Sequence, residues 1–222
     1  MVPTGCVSAN VAEVGADVLT CLCSRAKEAP VAYVLEDLVR NDRANGARAL
    51  SCLARQRPAD ARPLVEASNQ PRLLPMVLAA LPGDEPRAAL EALLEKDEVR
   101  DVAAVAYASR PDASPALLQR VVARSDRELR ARIVVAWFRR SAPDGLRAFA
   151  RLVRAAPDTP GPLRLLRPGD LATDEQRACV RGLLDLPAGD ALEKVIDVLI
   201  DAGDDAVSAR LERDRDVTIA HL

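Results

Sequence analysis

Glu98-Val99-Arg100-Asp101-Val102-Ala103-Ala104-Val105-Ala106-Tyr107 is followed 30 residues later by Glu128-Leu129-Arg130-Ala131-Arg132-Ile133-Val134-Val135-Ala136-Trp137. Both decamers place Glu, an aliphatic residue and Arg before an apolar run that ends in an aromatic ring. A second helical segment follows each one, over 115–124 and 145–155, and Arg120 and Val122 stand 31 residues before Arg151 and Val153. Two helices in a unit of about 30 residues, repeated, are the pattern of stacked helical units, none of which can bury its apolar face alone.

Working outward, the rest of the chain reads the same way. Val14, Val18 and Leu22 share one face of a helix expected over 11–27, with Asn10 as its cap. Pro30 opens the next, where its missing N–H would have no partner anyway. Further helices are expected over 47–56, after the Arg57-Pro58 break, and over 71–81 and 85–96. The break recurs at Arg110-Pro111-Asp112. Prolines 157, 160, 162 and 168 mark an irregularity in the stack. Thr173 with Gln176 forms a capping-box pattern that opens a helix through Leu186. Asp190 is expected to cap 191–202, and a more polar last helix is expected over 205–213. The resulting expectation is all-α: a right-handed solenoid of about six antiparallel helix pairs. It forms one domain over 1–222, with loose termini at 1–10 and 214–222.

Composition supports a packed helical body. The chain is 49% hydrophobic and 29% charged, which places it outside the disordered class. Its aromatics are only Tyr33, Tyr107, Trp137, Phe138 and Phe149, so Leu, Val and Ala must fill the core. No apolar run is long enough to span a bilayer, and the N-terminus has neither a basic region nor an apolar one to act as a secretory signal. Five scattered cysteines do not read as a disulfide framework. These features together give the expectation of a reduced, cytoplasmic protein with no membrane contact.

Val99-Arg100, Val102-Ala103, Arg110-Pro111-Asp112-Ala113-Ser114-Pro115 and Leu117-Leu118 resemble the variant leucine-rich repeats, which run V-R, V-A, N-P-x-T-P, L-x-x-L. The units here are longer than that family's, and Arg110 stands where Asn is usual. In length they resemble HEAT or armadillo-type helix pairs. The resemblance implies a curved solenoid that binds other macromolecules, and it brings no catalytic residues. The resemblance to variant leucine-rich repeats also implies, for some members, an N-terminal iron–sulfur domain ligated by cysteines, here Cys6, Cys21, Cys23 and Cys52. Cys21 and Cys23 on one helix point about 200° apart, however, which makes joint ligation difficult. Small buried hydrophobes is the preferred reading, with no cofactor.

Charge is uneven. Residues 120–167 hold 12 arginines against 4 acids, whereas 168–222 hold 6 basic and 13 acidic residues. Arg147, Arg151 and Arg154 fall within about 60° on one helix face, and Arg120, Arg124 and Arg127 precede them by one unit. Stacking would align the six into a basic lane suited to carboxylates or phosphates. Three readings stay open: a solvated helix face, an acidic protein partner, or a nucleic-acid backbone. The last includes a HEAT-like DNA glycosylase using Trp137 and Asp144, although Trp137 reads better as inter-helix filling. Self-association of the basic middle with the acidic end is a further possibility. His221 is the only histidine and lies in the tail, which disfavours triads and His-ligated metals. A non-catalytic scaffold for protein partners is the expectation.

Overall fold

Proline positions set many of the boundaries. In the computed structural model, which describes residues 16–41, 45–68 and 70–207, Pro58, Pro115 and Pro143 each begin a helix. The described residues contain α1 (Ala16–Ser24), α2 (Ala29–Asn41), α3 (Gly46–Gln56), α4 (Pro58–Ala67), α5 (Leu74–Ala80) and α6 (Asp84–Leu93). Then come α7 (Arg100–Ser109), α8 (Pro115–Arg124), α9 (Arg127–Phe138), α10 (Pro143–Arg154), α11 (Asp174–Arg181) and α12 (Asp190–Asp201). No strand occurs among the described residues, so the all-α expectation stands, and no helix among them is long and apolar enough to cross a membrane. The expectations placed on Asn10, on the termini 1–10 and 214–222, and on His221 lie outside the described residues.

The chain divides into two compact units, Met1–Tyr107 and Ala108–Leu222. In the first, consecutive helices from α2 to α6 pack on one another, and α3 also meets α1 and α5. Leu19, Leu22, Leu35, Leu50 and Leu53 are buried between them. Tyr107 is fully buried, and its hydroxyl donates to Glu91 Oε1 at 2.7 Å. In the second unit α8 to α12 pack in sequence. Its core joins Val134, Phe138, Phe149, Val153, Val180 and Leu199.

Polar links inside the units keep the spacing seen in the sequence. Arg72 to Asp101 (2.6 Å), Arg139 to Asp170 (2.8 Å), Ser141 to Thr173 (3.1 Å) and Arg154 to Asp185 (3.1 Å) join residues 29 to 32 positions apart. Residues about 30 positions apart are thus neighbours in space at these four places. The arginine of the opening decamers has a defined task as well. Arg100 Nε donates to the Leu94 carbonyl (2.9 Å) and Arg130 Nε to that of Val122 (3.2 Å). Arg177, in Glu175-Gln176-Arg177, does the same to Leu171 (3.1 Å). Each ties its helix to the chain just before it. The Arg-Pro breaks are also closed by ion pairs, Arg57 to Asp60 at 2.5 Å and the buried Arg110 to Asp112 at 2.8 Å.

Several boundaries differ from expectation: α1 ends at Ser24 and α6 at Leu93, each three residues early, α5 follows a 3-10 turn at Pro71–Leu73, α10 begins at Pro143, and α11 and α12 differ as follows. Helix α11 ends at Arg181 and does not run to Leu186, because the chain turns at Gly182 in tight bonds such as Leu183 N–H to the Val180 carbonyl. Leu183 and Leu186 remain buried through that turn. Asp190 is the first residue of α12, and Gly189 holds the cap position without a side-chain bond; the carboxylate acts on the helix dipole instead. The capping box at Thr173 and Gln176 is present, and Gln176 Nε2 also donates to the Phe138 and Arg139 carbonyls at the end of α9. In the proline-rich stretch a 3-10 turn, Gly161–Leu165, packs on α9, α10 and α12 and buries Leu163.

Acid sensitivity follows from two carboxylates of the second unit. The Asp204 side chain is fully enclosed. It accepts from Arg181 at 2.8 Å and from the Ala206 N–H at 3.0 Å, and the Arg181 bond holds its pKa below the usual value against the effect of burial. Burial pushes Asp170 upward, but bonds from Arg139 and the Arg167 N–H outweigh it and leave its pKa lowered too. Both groups bind a proton more readily in the unfolded chain, so their stabilisation is complete above the ordinary aspartate range. It is lost as pH falls through the lower folded values. Urea midpoints of the second unit should be flat from neutral pH down to about pH 5 and then drop. Asp204→Asn should lower the neutral-pH midpoint and shrink that drop; an unchanged acid limb would remove Asp204 from the account.

Candidate functional site

Helices α8, α9 and α10 enclose a groove of about 450 Å³ in the second unit. Val134 and Trp137 of α9 contribute to it, Val122 and Ala123 come from α8, and Ala148 and Leu152 come from α10. Arg130 and Arg151 add positive charge to this apolar lining, and Gln119 adds an amide. The groove depends on the close approach of α10 to α9. A Cβ built on Gly145 would meet the Trp137 carbonyl oxygen at 2.6 Å and its ring Cδ1 at 2.8 Å, so glycine is needed there. Trp137 is 1% exposed, and its indole N–H is buried with no acceptor among the described residues. That placement agrees with inter-helix filling.

The six lane arginines divide evenly. Arg127 Nη2 donates to Thr159 at 2.5 Å, Arg147 pairs with Asp144 at 2.6 Å, and Arg154 binds Asp185 and the Gly182 carbonyl. Arg120, Arg124 and Arg151 are exposed and have no hydrogen bond or ion pair among the described residues. Only Arg151 of the six lines the groove. Sequence reasoning missed Arg130, which is half-buried and fixed by the Val122 and Ser125 carbonyls at 3.2 and 2.9 Å. Its echo, Arg100, was the available signal. Asp144 is engaged with Arg147 and does not line the groove.

The cysteine expectation is overturned in the first unit. Cys23 of α1 and Cys52 of α3 form a disulfide across 29 residues, and Cys21 is disulfide-bonded as well. Cys23 and Cys52 are half-buried, not enclosed packing residues. Cys52 follows Cys23 by 29 residues, and the packing of α1 on α3 brings the two sulfurs together. The bond lies in the wall of a pocket of about 500 Å³ with Arg48 and Arg55. Iron–sulfur ligation does not fit the described cysteines. Cys23 and Cys52 use their sulfurs on each other, and no group of three or more His, Cys, Asp or Glu side chains suited to a metal occurs among the described residues. Cys6 lies outside them. Cys179, in the second unit, is a free half-buried thiol whose pKa burial pushes up to about 11.

Comparison with protein-family models, curated proteins and solved structures finds no match to this chain.

Proposed function

We propose that the chain is a non-catalytic helical-repeat scaffold that binds a protein partner, with HEAT-like antiparallel helix pairs stacked in each unit. Supporting the stacking are the sequential helix packing, the α1–α3–α5 contacts and the polar links one repeat length apart. The observation that carries the binding role is the apolar groove bordered by Arg130 and Arg151 on a segment whose Arg120, Arg124 and Arg151 have no partner among the described residues. Exposed guanidinium groups beside an apolar recess suit an acidic protein surface.

The test is affinity capture from the source lysate with wild-type chain and with Arg120→Glu/Arg124→Glu/Arg151→Glu. Loss of specific partners from the triple variant is expected, and an identical partner list removes the arginines from the contact surface. The same exposed arginines favour one alternative, binding to a nucleic-acid backbone, including the glycosylase-type reading. That alternative requires affinity for duplex DNA or RNA that falls steeply with added salt.

A further inference from the structure

Resting on that scaffold reading, we infer that the α8–α10 groove takes an acidic peptide segment, burying one aliphatic side chain against Val122, Val134 and Leu152 and setting carboxylates on Arg130 and Arg151. Arg130 is prepared for this. Its Nε and Nη2 are anchored on two backbone carbonyls, while Nη1 has no partner among the described residues. A guanidinium already held in place loses little freedom on taking a carboxylate. Arg151 borders the same space from α10 and is exposed. A recess of about 450 Å³ is within the range of ligand sites and suits an anchoring side chain with its flanking groups.

The surrounding charge agrees, since residues 120–167 carry 12 arginines and 4 acids. A nucleic acid fits less well. Single strands are held by stacking on open aromatic faces, and Trp137 at 1% exposure offers none. Duplex backbones need rows of free cations, and three of the six lane arginines are taken by Thr159, Asp144 and Asp185. The apolar walls would be idle against phosphate.

Trp137 is the only tryptophan, so its emission reports on the groove directly. The probe is a short acetylated peptide of glutamates around a central leucine pair, titrated into the full chain. Two controls replace its glutamates with glutamine or its leucines with serine. A saturable change in emission is expected with the first peptide, weakened by about tenfold or more with either control. Arg151→Glu, and Ala123→Phe at an exposed groove position, should weaken it as much while leaving the circular dichroism unchanged. Arg147→Glu, outside the lining, should stay within about twofold. No saturable change, equal affinity for the glutamine peptide, or tighter binding of a duplex oligonucleotide overturns the inference. The two readings fail separately: if Arg120→Glu/Arg124→Glu strips lysate partners and Ala123→Phe does not, the scaffold stands and the groove falls.

Discussion

Trp137→Ala is expected to destabilise the second unit by about 4 kcal/mol. The ring is 1% exposed and wedged where α10 crosses α9 at Gly145, so its removal leaves a cavity that the two backbones must collapse to fill. Phe138 and Phe149, whose ring centroids lie 4.5 Å apart, pack beside this crossing and resist that collapse. Trp137→Phe should cost much less. It keeps most of the ring volume and removes a buried N–H that has no acceptor among the described residues, which itself costs about 1–3 kcal/mol. Urea denaturation followed by circular dichroism, with hydrogen exchange resolved by unit, checks the order. Equal losses for Phe and Ala would show that the indole nitrogen has a partner and that volume is not what the site needs. A loss below about 1 kcal/mol for Ala would show that the helices close over the gap.

The paired decamers were legible because one residue pattern serves two separate needs in both of them. The arginine ties the helix start to the preceding carbonyls, as Arg100 and Arg130 do, and the terminal aromatic fills the space between helices, as Tyr107 and Trp137 do. Periodicity records such local demands. It does not record where a helix ends when the turn is also apolar. Leu183 and Leu186 continue the stripe of α11 although the helix has stopped at Arg181. The lane was legible as six arginines on helix faces, but its division was not. The partners of Arg127, Arg147 and Arg154 include Thr159 and Asp185, residues 31 to 32 positions away that come close only in the fold. The groove was out of reach for the same reason, since three helices contribute to it and no one helix shows it. Cys23 and Cys52 are the opposite case. Their separation of 29 residues nearly equals the 30-residue offset between the two decamers, a clue that the helical wheel of Cys21 and Cys23 obscured.

Loss of the Cys23–Cys52 bond is expected to lower the stability of the first unit by about 3.5 kcal/mol, from the entropy of a closed loop of 29 residues in the unfolded chain. Helices α1 and α3 pack together in any case, with Leu19, Leu22, Leu50 and Leu53 buried between them and their neighbours. The native unit therefore survives without the bond, and the change falls on the unfolded state. Against a typical domain stability of about 5–15 kcal/mol, that loss brings the first unit close to its threshold under reducing conditions. Because Cys21 is disulfide-bonded too, a reductant removes more than this link, and Cys23→Ser/Cys52→Ser isolates it. The double variant should unfold at lower urea than the oxidised chain. Added reductant should shift it less than it shifts wild type. The second unit is the internal control: its only cysteine, Cys179, is a free thiol pushed up to about 11 by burial, so its transition should not respond to reductant and its alkylation at neutral pH should be slow. Coincident first-unit midpoints for wild type and the double variant would mean that the α1–α3 packing already restrains the unfolded ensemble, and that the unit holds together without a covalent tie.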